Sequence, residues 1–293
     1  MTPDYGASRP PTAPTRLRQI ALIARDLDRA RYILTTILGT EVVFEDPAVA
    51  QWGLKNFLVA IGGDIIEVCS PCKPGTTVEK LLQKRGDGGY MVIMQTTDAA
   101  ARRRYIESRG LAKVIYYHSH DEVECVQYHP KGIRGGVMPE LDSHTPSSSN
   151  PTPLESSFSP WHACGPDYER YSATMRRHSH LRLAAATCRL APGQTDTEAA
   201  ARQWHEWFGI DRDGSELVFT NARLRFVPGV EGQPEGLESM VLAIKGKQRL
   251  EGILGRVRDE GLRLCADGWT DLLGVKWCFI LEGEKEKGPG PKL

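Results

Sequence analysis

Two histidines one residue apart, His118 and His120, alternate with Tyr117 and Ser119 in a run that begins at Val114. On a strand, alternate side chains leave the same face, which would set these imidazoles about 6 to 7 Å apart. That spacing suits two ligands on one wall, or a base and its helper, and equally a strand end entering a polar loop. Cys69-Ser70-Pro71-Cys72 brings two thiols close in sequence. No second Cys-x-x-Cys follows, so the pair reads as turn residues rather than half of a zinc knuckle or a redox motif. The seven cysteines are an odd number, which excludes a complete disulfide framework and points to reduced thiols. Trp161-His162 sits in a polar, Pro-rich stretch, where an aromatic is expected to dock back onto a domain. Arg102-Arg103-Arg104, with Glu107 nearby, reads as a solvated helix face.

The elements that must position these groups are set by a chain of 293 residues, 40% of them hydrophobic, with 37 Lys+Arg against 37 Asp+Glu. This composition fits about two globular domains and excludes collagen, coiled coil or disorder as the overall state. Zero net charge and the lack of a basic stripe argue against nucleic acid as a partner. No run approaches the roughly 20 apolar residues of a membrane span, and residues 1–15 form a Pro-rich polar leader without a signal-peptide core. A cytoplasmic location is expected.

Residues 17–25 read as a strand, and Asp26 caps a helix with Leu27, Ala30, Ile33, Leu34 and Ile37 on one face, stopped at Gly39. Strands follow at 41–44, 56–61 and 65–69. The same order returns as a strand at 90–95, a helix at 97–110 and strands at 114–117, 123–128 and 136–141, so the first half is a βαβββ module given twice. After a Ser/Pro-rich linker at 143–175 the pattern restarts. A strand at 181–190 leads to a helix at 195–209, with Thr195 and Glu198 at capping-box spacing and Trp204, Trp207 and Phe208 as an apolar stripe. Strands at 216–219 and 223–227 follow. A fourth module is readable at 240–244, 249–261 and 275–281. The expected domains are 16–142 and 176–284, with a flexible tail at 285–293.

This organisation resembles the vicinal oxygen chelate superfamily, which includes glyoxalase I, methylmalonyl-CoA epimerase, bleomycin-resistance proteins and extradiol dioxygenases. The resemblance is carried by Ile20-Ala21-Leu22-Ile23-Ala24-Arg25-Asp26-Leu27 with Leu38-Gly39, by Lys84-Arg85-Gly86-Asp87-Gly88, and by His129-Pro130-Lys131-Gly132 leading to Gly136-Val137-Met138-Pro139-Glu140-Leu141. These residues look most like a methylmalonyl-CoA epimerase and cover about 16–143. The resemblance implies an α+β fold of two tandem vicinal-oxygen-chelate domains, each of paired βαβββ modules forming a cup-shaped mixed sheet. It also implies a divalent metal held from four strands, beside a carboxylate that removes an acidic C–H proton.

At the family's four ligand positions this chain has Gln19, Glu67, Met91 and Glu140, and Asn56 stands near the position of an epimerase base. Both expected imidazoles are absent, and a thioether is a soft, weak ligand. The resemblance therefore implies acid/base chemistry by Glu67 and Glu140, with Gln19 as hydrogen-bonding partner and no metal required in this cup. Met91, Asn56, His118 and His120 are its expected substrate contacts. In the second half, aligned by pattern, His180, Glu238 and Glu282 are candidate metal ligands, and Arg225 takes a fourth corner.

Three functions follow as expectations. The first is a small-molecule isomerase or lyase acting next to a carbonyl, on a carboxylate-bearing or aromatic substrate. The second is a non-catalytic binding or resistance protein. The third is a metal-dependent dioxygenase using the C-terminal cup. A homodimer is compatible with all three.

Overall fold

The computed structural model describes residues 9–120, 122–265 and 268–284; the first eight residues of the expected leader and the expected tail at 285–293 lie outside them. The first module is β1 (Arg16–Ile23), α1 (Leu27–Leu38), β2 (Val42–Phe44), β3 (Leu54–Ile61) and β4 (Asp64–Pro71), followed by the short α2 (Thr77–Arg85). The second is β5 (Gly88–Thr96), α3 (Ala99–Ser108), β6 (Val114–His120), β7 (Val123–Tyr128) and β8 (Met138–His144). A connector with α4 (Tyr168–Arg177) leads to the third: β9 (Leu181–Arg189), α5 (Thr197–Phe208), β10 (Asp211–Asp213), β11 (Glu216–Val218) and β12 (Arg223–Val227). The fourth comprises β13 (Gly236–Ile244), α6 (Lys247–Asp259), β14 (Trp269–Leu272) and β15 (Val275–Leu281).

The strands form two mixed sheets, ordered β2-β3-β4-β1-β5-β8-β7-β6 and β10-β11-β12-β9-β13-β15-β14. Each half of the chain thus supplies one sheet. Packing groups the modules differently, into one compact unit of residues 9–18, Met91–Ser159 and Thr187–Leu237 and a second of Gln19–Tyr90, Pro160–Ala186 and residues 238–284. Among the described residues no helix is long and apolar enough to cross a membrane.

Local chemistry explains the helix limits. Asp26 accepts from the Arg29 amide at 2.9 Å, and Gly39, at φ 65°, ends α1 in the left-handed conformation that costs glycine least. Asp196, rather than Thr195, caps α5 through the Ala199 amide. In the second compact unit α1 packs on α6, where Arg256 Nε donates to the Ile37 carbonyl at 3.0 Å. In the first, α3 packs on α5, and Trp204 donates to the Arg134 carbonyl at 2.9 Å.

Two expectations are corrected here. Arg102 is not on a solvated face: it is 4% exposed and donates to the Pro10 and Pro11 carbonyls at 3.1 and 2.8 Å. Its guanidinium lies where a side chain on Gly209 would stand, a Cβ there coming within 2.1 Å. The segment at 143–175 is more than a polar spacer. Arg16 donates to the Ser156 and Ser157 carbonyls and the fully buried Arg18 to the Ser159 carbonyl, and Tyr171 and Met175 of α4 are buried.

Candidate functional site

Register decides which side chains share a face. On β4, Glu67 stands opposite Ala21 of β1 and Leu58 of β3, and Cys69 stands opposite Ile23 and Asn56. Paired residues point to the same side of a sheet, so Gln19, Asn56, Glu67 and Cys69 share one face. The opposite face carries Phe57, stacked under the Arg31 guanidinium of α1.

On the shared face the structure brings together three of the expected site residues, Gln19, Asn56 and Glu67. Asn56 Nδ2 donates to Glu67 Oε1 at 2.6 Å, Cys69 Sγ to the same oxygen at 3.1 Å, and Gln19 Nε2 to Oε2 at 2.8 Å. Two of these donors, Gln19 and Asn56, are themselves fixed. Gln19 Oε1 accepts the Trp161 indole N–H at 2.8 Å, the Trp161 amide donates to the Tyr171 hydroxyl at 3.0 Å, and Asn56 Oδ1 accepts the Asp46 amide at 2.9 Å. Trp161 is fully buried, which bears out the expectation that it docks, here on Gln19. Cys69, read from sequence as a turn residue, was the missed member. Its place two residues along the strand from Glu67 was the available signal, since i and i+2 share a face.

Burial pushes the Glu67 carboxyl above its ordinary value. The hydrogen bonds from Asn56, Cys69 and Gln19 pull the other way, and the charge of Asp46 adds to the rise. Burial also drives the Cys69 thiol well up, with Glu67 beside it as a further cause. Cys69 therefore serves as a neutral donor, not a nucleophile.

The equivalent face of the second module is different. Glu140 on β8 stands opposite Ile93 and Gln127, and Asp142 opposite Gln95 and Cys125. Met91 takes the position of Gln19, and the pair Asn56/Cys69 becomes Cys125/Asp142. Gln127 Nε2 donates to Glu140 Oε2 at 2.6 Å. Burial pushes the Cys125 thiol far up, with Asp142 and Glu140 as further causes. His118 and His120 lie exposed on β6, at the end of the sheet, their rings stacked at 6.0 Å. His118 stands opposite Cys125.

The donor set around Glu67 does not fit the metal that the family resemblance implies. Both carboxylate oxygens face N–H or S–H donors, and the Gln19 oxygen faces an indole N–H; a cation there would require all of them to turn away. The set His180, Glu238 and Glu282 is also corrected. The His180 carbonyl accepts the Lys245 amide and the Glu282 amide donates to the Ile244 carbonyl, so these two lie at one end of β13. Glu238 lies six residues back along β13, about 20 Å away at strand rise, and pairs with Lys276 at 3.6 Å. Arg225, the proposed fourth corner, pairs with Glu216. Burial, Arg249 and His178 hold the His180 imidazole below its usual value.

No family model and no curated protein matches the chain. Among solved structures it is similar to a Streptomyces coelicolor methylmalonyl-CoA epimerase variant in complex with 2-nitronate-propionyl-CoA, at 23% identity over 45% of this chain and 99% of that one, with a TM-score of 0.40. A Mycobacterium tuberculosis methylmalonyl-CoA epimerase gives 26% identity, 45% and 89% coverage and a TM-score of 0.39. A hypothetical protein from Staphylococcus aureus aligns over 90% of this chain and 98% of its own, at 11% identity and a TM-score of 0.56. The last likeness concerns the fold of nearly the whole chain: α+β, with two mixed sheets.

Proposed function

We propose that this protein is a small-molecule enzyme of isomerase or lyase type, in which Glu67 moves a proton to or from a carbon next to a carbonyl. One observation carries the reading: a buried carboxylate hydrogen-bonded by the neutral side chains of Asn56, Cys69 and Gln19, whose proton affinity is raised. A carboxylate of raised proton affinity takes a C–H proton more readily than an ordinary glutamate and can return it. Oε1 accepts two hydrogen bonds and Oε2 one, so Oε2 has the lone pair to accept the proton. Gln19, Asn56 and Trp161 are positioning residues that fix the carboxylate plane. The resemblance in residues 16–143 makes acyl thioesters the first C–H acids to try.

A second reading, a binding protein without catalysis, is favoured by the closure of the network: Trp161 is fully buried on Gln19 and Glu67 is only 8% exposed. The two part in heavy water. With a panel of acyl-CoA thioesters and 2-oxo acids, the enzyme reading expects deuterium at the α-carbon by mass spectrometry, lost in Glu67→Gln. Exchange that persists in the variant would remove Glu67 from the chemistry. Bound but unexchanged compounds would favour the binder.

A further inference from the structure

The face of the second module carries a donor set that the Glu67 chemistry does not use and of which only Glu140 stands at one of the family's four ligand positions. Gln95, Asp142 and Cys125 form one row across β5, β8 and β7, and Glu140 lies on the same face two residues before Asp142. One ligating atom from each of Cys125, Glu140 and Asp142 lies within 4.8 Å of the others, and all three residues are buried. Gln95 is an independent pointer. It is 0% exposed, and its Nε2 donates to the Pro153 carbonyl at 2.9 Å. That bond fixes the amide, because the flipped group would set oxygen against oxygen. Gln95 Oε1 is then left buried without a hydrogen-bond partner, beside Asp142 in register. An unmatched buried acceptor costs about 1–3 kcal/mol, and carboxylate neighbours add to the cost. Positive charge is what this group of oxygens and sulfur calls for.

We propose that Gln95 Oε1, Asp142, Glu140 and Cys125 bind a divalent cation, with zinc as the ion of choice. Sulfur beside oxygen donors selects a borderline ion over magnesium or calcium, and four protein donors suit tetrahedral coordination. Gln127, donating to Glu140 Oε2, orients the carboxylate as outer-shell partners of metal ligands do. The site shares only Glu140 with the four family positions, and it stands or falls independently of the proton-transfer reading of Glu67.

The test uses full-length protein stripped with chelator and then titrated with zinc chloride and, separately, with cobalt(II) chloride. One equivalent of zinc is expected by calorimetry, weakened at least about 100-fold in Asp142→Asn. Cobalt is expected to give a sulfur-to-metal charge-transfer absorption that disappears in Cys125→Ser. This near-isosteric variant keeps the test decisive should Asp142→Asn fail to fold. Gln95→Met, which keeps the volume and removes the oxygen, should weaken zinc by about tenfold. Failure to take up zinc, uptake unchanged in Asp142→Asn, or a cobalt absorption that survives Cys125→Ser would each overturn the site.

Discussion

Glu67 and Glu140 occupy the same register position in successive modules of one sheet, and their neighbours set them to different work. Around Glu67, Gln19, Asn56 and Cys69 supply hydrogen-bond donors that hold a single buried carboxylate. Around Glu140 the same positions hold Met91, Cys125 and Asp142, a thioether, a thiol and a second carboxylate, while Gln127 donates from the position of Leu58. On the proposed readings, donors around one carboxylate suit acid/base work, whereas ligand atoms around two suit a cation. The contrast lies in five positions of a common backbone frame, where Gln19, Ile23, Asn56, Leu58 and Cys69 are matched by Met91, Gln95, Cys125, Gln127 and Asp142.

The largest effect expected from breaking this contrast is on proton transfer. Glu67→Gln should lower α-proton exchange by roughly 10²–10⁴-fold, read by mass spectrometry, while Glu140→Gln acts first on zinc affinity. Next is Trp161→Ala, which opens a cavity at a fully buried side chain and frees the Gln19 amide. It should cost about 3–5 kcal/mol in denaturant unfolding. Cys69→Asp gives the first face the second carboxylate that the other face has at Asp142. With no cation to compensate, a second buried carboxylate beside Glu67 should cost about 3 kcal/mol and raise the Glu67 carboxyl further.

Two carboxylates of the second compact unit sharpen the electrostatic side through opposite pH dependence. The Glu67 carboxyl is raised above 4.5, so the folded state holds its proton more tightly than the unfolded state. Its contribution to stability is full below 4.5 and lost as pH rises through the raised value. Glu41 is the converse. Bonded by Arg177 at 2.7 and 3.0 Å and by His178 at 3.0 Å, its carboxyl is lowered from 4.5 to about 2. Its contribution is present above 4.5 and lost as pH falls through about 2. The Glu41 side chain is 50% exposed, so Glu41→Gln should cost no more than about 1 kcal/mol at neutral pH. Denaturant midpoints across pH for wild type and both Gln variants check the two slopes.

Much of this was legible in the sequence. Period and caps gave α1, α3 and the strands of the first two modules, since Leu27, Ala30, Ile33, Leu34 and Ile37 repeat on one face and Asp26 and Gly39 bracket them. The short α2 was missed because only Val78 and Leu82 are buried, too few positions to show a period. The polar α4 was missed because its buried side includes Ser172 and Thr174. That Gln19, Asn56 and Glu67 come together was legible through the family resemblance. The donors Cys69 and Trp161 were not, because their place at Glu67 depends on strand register and on a connector folding back. Glu238 misled for the same reason: no periodicity tells which end of β13 faces His180.

Glu67 is a buried carboxyl of raised proton affinity held by neutral donors. Infrared difference spectra across a pH titration, wild type against Glu67→Gln, test it most directly. A protonated carboxyl band should persist above pH 4.5, be absent from Glu67→Gln, and persist to still higher pH in Asn56→Ala. A carboxyl band that vanishes at or below the ordinary glutamate value, or one untouched by Glu67→Gln, would contradict it.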